Sequence, residues 1–255
     1  MKKPISILMV LVLTLTLCAA PLGALAAQPI SITSVNVNDD ASVSITWDNP
    51  NGGKVTVGSL ILDDGTAGHR INAEFDVSGS SYTYRNLAPG QNYYLLVFPG
   101  TDLENAGLDI VSVPEITRKF DEFYFVLQDA NLAYFDLKGD SYSYNYAKDL
   151  TNREIYDMLD AKQFLIKMDF DHITFSYDQS FHGLTVVTSP TGYVTTSALE
   201  VEISKNTTAF WQAMAYMNQS FADMYDANGE IPKGKYTVEF YMDGCFVGES
   251  YFNIK

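Results

Sequence analysis

The chain has 255 residues, with 16 Lys+Arg against 31 Asp+Glu, 47% hydrophobic and 18% charged. This is globular composition, sufficient for one large domain or two ordinary ones. A formal net charge of −15, with no Lys/Arg cluster beyond the first three residues, excludes a nucleic-acid binder and disfavours an anionic membrane surface.

The first element is an export signal. Lys2 and Lys3 form a short positive region, Ile5 to Leu17 is apolar, and Ala24-Leu25-Ala26 supplies a small-x-small cleavage pattern. Residues 1–27 therefore read as a secretory signal peptide, too short for a spanning helix. Cys18 follows Leu17 inside the apolar run, which argues against lipidation, since that needs a small residue before the cysteine. Cleavage after Ala26 or Ala27 leaves a chain starting near Gln28, in which no stretch is long and apolar enough to span a membrane. That chain keeps a single cysteine, Cys245, so no intramolecular disulfide is expected. Cysteine poverty in an exported protein fits a bacterial, secreted or envelope-associated protein better than a small eukaryotic secreted domain.

Residues 28–117 read as a first domain, in which 30–115 alternate apolar and polar side chains at period two. Val43, Ile45 and Trp47 fall on one strand face, and Asp48-Asn49-Pro50-Asn51-Gly52-Gly53 is dense turn chemistry. Val55 to Leu62 is a second strand, Tyr82 and Tyr84 lie on a third, and Tyr93 to Phe98 forms a further one. Short strands between Gly/Pro/Asn turns predict a β-sandwich. Trp47 together with Leu87-Ala88-Pro89-Gly90-Gln91-Asn92-Tyr93 resembles a fibronectin type III domain. The resemblance implies that Trp47 packs in the core and that Leu87, Pro89, Gly90 and Tyr93 form a corner anchored by the tyrosine. One position departs from the family pattern: Gly58 is followed by Ser59 rather than Tyr. These are structural residues and imply no activity.

Residues 118–255 predict a second, immunoglobulin-like sandwich with helical insertions, so the chain as a whole reads as mainly β. Phe120–Leu127 and Asn131–Leu137 read as two strands, and Thr151-Asn152-Arg153-Glu154 as a capping box opening a helix. Phe164–Phe170, Ile173–Tyr177 and Leu184–Thr188 have strand character. Phe210, Met214, Met217, Phe221 and Met224, spaced four and three apart, predict an amphipathic helix over 207–225 facing the core. Tyr236–Met242 and Cys245–Ile254 around Asp243-Gly244 form a two-residue hairpin of type I′, which places Cys245 opposite Met242 as a buried apolar group. This hairpin resembles the closing strand pair of immunoglobulin-like modules on bacterial surface proteins.

Chemistry is sparse. No G-x-S-x-G elbow accompanies the histidines His69, His172 and His182. Glu200 and Glu202 have the spacing of one glycosidase carboxylate pair, but Ser204 breaks the set. Asp169, Asp171, His172 and His182 lack a fixed ligand geometry, and Asp226–Glu230 lacks the later ligands of a calcium loop, so neither a metal nor another cofactor is expected. The suggestive surface feature is Tyr142, Tyr144 and Tyr146, alternating with Ser and Asn. On a strand these rings share one side and could stack on sugar faces if exposed; alternation with polar partners favours rings turned to the core, and the same holds for Tyr82 and Tyr84. The expected function is non-catalytic binding of a polysaccharide or another envelope protein. The alternatives are an accessory glycan-active enzyme and a structural subunit that accepts a neighbour's strand.

Overall fold

The computed structural model describes residues 28–255 except 63–68, 70, 123, 139–143 and 208–209. The predicted export signal, 1–27, lies outside the described residues.

Among the described residues the first sandwich has seven strands: β1 (Ser31–Val37), β2 (Val43–Asp48), β3 (Val55–Ile61), β4 (Asn72–Val77), β5 (Ser81–Tyr84), β6 (Asn92–Phe98) and β7 (Gly107–Ser112). They form two antiparallel sheets in the orders β1-β2-β5 and β4-β3-β6-β7. Alternation explains the packing. Val43, Ile45 and Trp47 of one sheet meet Val55, Val57, Leu95 and Val97 of the other in a single core. Tyr84 faces this core and donates its hydroxyl to the Gly58 carbonyl at 3.0 Å, while half-buried Tyr82 packs against it and donates to Glu74. Tyr93, near the start of β6, is buried, and its hydroxyl accepts the Ala88 N–H at 2.7 Å. Leu87 is buried beside it, and Gly90 turns the chain at φ 74°.

The second sandwich contains β8 (Phe125–Asp136), β9 (Asn145–Tyr146), α1 (Asn152–Met158), β10 (Lys162–His172), β11 (Gln179–Thr188), β12 (Val194–Ile203), β13 (Phe210–Tyr216), α2 (Asn218–Asn228), β14 (Gly234–Met242) and β15 (Cys245–Ile254). Its sheets run β13-β10-β8-β9 and β12-β11-β14-β15. Set in chain order against the first sandwich, β8, β10 and β13 take the places of β1, β2 and β5. Strands β11, β12, β14 and β15 take those of β3, β4, β6 and β7. The two sandwiches therefore share one strand order, and β9, α1 and α2 are additions. The corner is repeated as well: Tyr236, near the start of β14, donates its hydroxyl to the Pro232 carbonyl at 2.8 Å.

Several expectations need correction. The two strands read at 120–127 and 131–137 are one strand, β8, with a register shift opposite Asp169/Phe170. Ile173–Tyr177 is the connection between β10 and β11 rather than a strand. The helix expected over 207–225 is instead strand β13 followed by α2. A spacing of four satisfies period two as well as period 3.6, so Phe210 and Met214 share a strand face, and only Met217, Phe221 and Met224 follow the helix into the core. The capping box at Thr151 and Glu154 is present. The final hairpin pairs Met242 with Cys245, with φ 45° at Asp243 and 68° at Gly244, as a type I′ turn requires. Cys245 itself is half-buried, because it sits at the turn rather than inside the sheet.

The sandwiches meet along a seam. Ala88, Val186 and Tyr241 form a small buried patch with Ile116, Leu184 and Phe246 packed around it. The connecting chain bonds directly to β15: Phe246 N–H donates to the Arg118 carbonyl at 2.8 Å, and Phe120 N–H to the Phe246 carbonyl at 2.7 Å. The Asp243-Gly244 turn presses on the β1–β2 turn, where a Cβ added at Gly244 would lie 2.5 Å from Asp40 Cα. Gly244→Ala thus combines a left-handed backbone with a backbone clash and should cost about 2–4 kcal/mol. Gly52→Ala, at φ 64° but with open space around it, should cost only about 1–2 kcal/mol. Urea unfolding of the two variants checks the difference.

Candidate functional site

The sheet β13-β10-β8-β9 turns one side to the second core and the other to solvent. The register places Tyr216, Leu165, Ala133 and Tyr146 on one rung across all four strands. Strands lie about 4.8 Å apart, so the rung spans about 14 Å between its outer backbones. Its end rings are open to solvent, with Tyr146 at 50% and Tyr216 at 60% exposure. Leu165 and Ala133, between them, are 0% exposed although they belong to neither core.

Tyr144 reaches over the same face. Its ring meets Phe135 edge-on at 5.8 Å, and its hydroxyl reaches Met214 Sδ on β13 at 3.2 Å. Its side chain therefore crosses the outer face above β8 and β10, and the ring is half-buried. Tyr146 stays open, with Lys148 Nζ 5.6 Å from its ring centroid. Both rings stand on the outer face, beside Phe135 and Ala133, rather than in the core as the alternation favoured. The physical reason is that β9 is a two-residue edge strand, so no second sheet covers it. Tyr142, the third residue of the row, lies outside the described residues.

The next rungs are polar. Met214, Lys167 and Asn131 share one, and Gln212, Asp169 and Asp129 the next. Lys167 Nζ pairs with Asp169 Oδ1 at 2.8 Å and Oδ2 at 3.0 Å, and Gln212 Nε2 donates to Asp169 Oδ1 at 2.6 Å. The Lys167 side chain is only 11% exposed. Burial pulls its pKa down, but the Asp169 carboxylate and the Tyr146 hydroxyl together outweigh this and hold it above the ordinary lysine value. Phe210, 50% exposed, sits at the end of β13 opposite Asp171. Open ring faces beside an ordered lysine–carboxylate–amide set can stack on a ligand's C–H face and hydrogen-bond its hydroxyls. Tyr216 and Phe210 were missed in the sequence. Their signal is the period-two run Phe210-Trp211-Gln212-Ala213-Met214-Ala215-Tyr216, obscured by the methionine spacing.

The other candidate groups do not converge. Asp169 and Asp171 face outward, whereas His172 is buried, stacks on Phe125 and bonds through Nδ1 to the Ile173 carbonyl at 2.6 Å. Glu200 and Glu202 lie exposed on β12, and Glu200 Oε1 pairs with His182 Nδ1 at 2.7 Å. Among the described residues no group of three or more His, Cys, Asp or Glu side chains comes together to hold a metal. No helix among them is long and apolar enough to cross a membrane.

No family model matches the chain, and no curated protein matches it. Solved structures do. A two-domain fibronectin type III segment of chicken tenascin aligns at 8% identity over 89% of this chain and 98% of that one, with a TM-score of 0.24. The FN1–FN3 domains of chicken CNTN1 align at 11% identity over 90% and 69%, with a TM-score of 0.23. A GH2 beta-galacturonidase from Eisenbergiella tayi aligns at 8% identity over 83% and 34%, with a TM-score of 0.24. Superpositions this loose bear no functional weight, and the fold rests on the strand orders and the two cores.

The polar rungs generate a pH-dependent expectation. Asp169→Asn removes the carboxylate partner of a mostly buried ammonium, leaving it the Tyr146 hydroxyl, and should cost about 1–3 kcal/mol at neutral pH. The folded pKa of Lys167 is raised, so the pairing contributes fully below the unfolded lysine value of about 10.4 and is lost as pH rises through the folded value. Denaturant titrations at pH 7 and at alkaline pH should therefore show the gap between Asp169→Asn and the parent narrowing as pH rises.

Proposed function

We propose that this is a non-catalytic, exported binding protein that holds a polysaccharide on the outer face of its second sandwich. The observation that carries the reading is the rung from Tyr216 to Tyr146, with two exposed rings about 14 Å apart beside the Lys167–Asp169–Gln212 set. A glycan chain offers alternating C–H faces and hydroxyls to such a surface. Ordered aromatic rings bind with little loss of side-chain freedom, since two χ angles define each. The first sandwich, residues 28–117, acts as a spacer or interaction module, and residues 118–255 carry the specific surface.

Binding of the purified protein to insoluble polysaccharides and cell-wall fractions tests the reading. The comparison protein is the double variant Tyr146→Ala/Phe210→Ala, in which both rings are half-exposed and the fold should change by under about 1 kcal/mol. Retention on the glycan should fall at least tenfold, a loss of about 1.4 kcal/mol. Equal retention by both proteins would reject the face. Failure of the parent to bind any glycan fraction would transfer the function to an envelope-protein partner. Expression of residues 28–117 alone tests the division of the chain, and a cooperative urea transition for that fragment is the expected result.

A further inference from the structure

A cavity of about 310 Å³ opens between the two sandwiches, away from the β9 edge of the outer face. It is near the lower end of the volumes that bind small molecules. The first sandwich lines it with His69 from the β3–β4 connection, Asn72 from β4 and Asn86 from the β5–β6 connection. The second lines it with Tyr193 from the β11–β12 turn and with Gln219 and Asp223 from α2.

These walls are ordered. Asp223 is only 5% exposed; Tyr193 donates its hydroxyl to Asp223 Oδ2 at 3.1 Å, and Gln219 Nε2 donates to Oδ1 at 2.9 Å. The Tyr193 ring stacks on His69 with centroids 4.7 Å apart and planes 11° from parallel. His69 Nε2 accepts the Val194 N–H at 2.9 Å, so the imidazole carries its proton on Nδ1. One sandwich thus locks the other through a histidine–tyrosine stack at the cavity wall.

We propose that this cavity is a binding site for a small, neutral, polyhydroxylated ligand of mono- or disaccharide size. The lining chemistry sets the class. Amides and a buried carboxylate offer both donors and acceptors to hydroxyls, and an aromatic pair offers a flat apolar wall. Among the described lining residues there is no lysine or arginine, and the carboxylate of Asp223 opposes an anion. A lipid finds too little apolar wall, since amide, hydroxyl and carboxylate groups from both sandwiches are interspersed with the aliphatic ones. The site needs both sandwiches, because neither supplies a closed wall alone. Tyr216, the β13 end of the outer-face rung, also borders the cavity, whereas Tyr146 and Phe210 do not, so variants of those two rings report the outer face alone.

The test is saturation-transfer NMR and calorimetry on protein produced from the full chain. The neutral probes are glucose, N-acetylglucosamine and cellobiose, and the anionic ones are glucuronic acid and glucose 6-phosphate. At least one neutral probe should bind with a dissociation constant below about 10 mM, and the anionic probes at least tenfold more weakly. Ala73→Trp, which fills the cavity, and Asn72→Ala, which changes an exposed edge residue, should each weaken the neutral probe at least tenfold. Tyr146→Ala should leave that affinity unchanged and reports the outer face separately. If no neutral probe binds, if anionic probes bind best, if both cavity variants bind like the parent, or if Tyr146→Ala abolishes binding, the assignment is overturned.

Discussion

The contact between the Asp243-Gly244 turn and Asp40 is the constraint on which the arrangement of the whole molecule depends. Two sandwiches joined by a short connection have many relative orientations open to them. Here that freedom is removed at several points along one seam. The hairpin of the second sandwich closes against the β1–β2 turn of the first, and only glycine leaves room there. The connecting chain then runs beside β15, exchanging hydrogen bonds through Arg118, Phe120 and Phe246. Arg118 Nη2 adds a bond to the Asp243 carbonyl at 3.1 Å, which ties the connection to the same turn. Ala88, whose N–H is held by Tyr93, belongs to the apolar patch of the seam, so the corner of the first sandwich is also part of the joint.

The shared strand order sharpens what is particular to the second sandwich. With β8, β10–β13 and β14–β15 laid on the first sandwich, the remaining elements are β9, α1 and α2. These additions border both candidate sites. β9 brings Tyr146 to the edge of the outer face, with Tyr144 just before it, and α2 brings Gln219 and Asp223 to the inter-sandwich cavity. Meanwhile α1 packs against α2 through Tyr156 and Tyr225, whose rings stack at 3.5 Å, and this secures the helix that lines the cavity. Frame strands β10 and β13 supply Lys167, Asp169, Gln212 and Tyr216, and the insertions complete both sites with Tyr146 on one side and Gln219 and Asp223 on the other.

Much of the frame was legible because its signals are local. Period-two alternation marked β2, β3 and β6, and Asp243-Gly244 marked its own turn. The chain also contains a second corner that local reading passed over. Ile231-Pro232-Lys233-Gly234-Lys235-Tyr236 carries the proline, glycine and tyrosine of the first corner with different spacing. The methionine spacing misled for a definite reason: residues four apart lie on one side of both a helix and a strand, and Phe210 and Met214 were the ambiguous pair. Whether Tyr144 and Tyr146 faced the core was not decidable from alternation, since that depends on which strand has no neighbour sheet. The cavity was not legible at all. Its walls come from connections far apart in the chain, and no local pattern brings His69 to Tyr193.

The half-buried Cys245 has a consequence for how the protein matures. It is the only cysteine among the described residues, so neither sandwich contains a covalent cross-link. Each must reach its native state on apolar burial and strand pairing alone. Folding then requires no oxidant and no disulfide isomerase, and the same native structure is accessible in reducing and in oxidising surroundings.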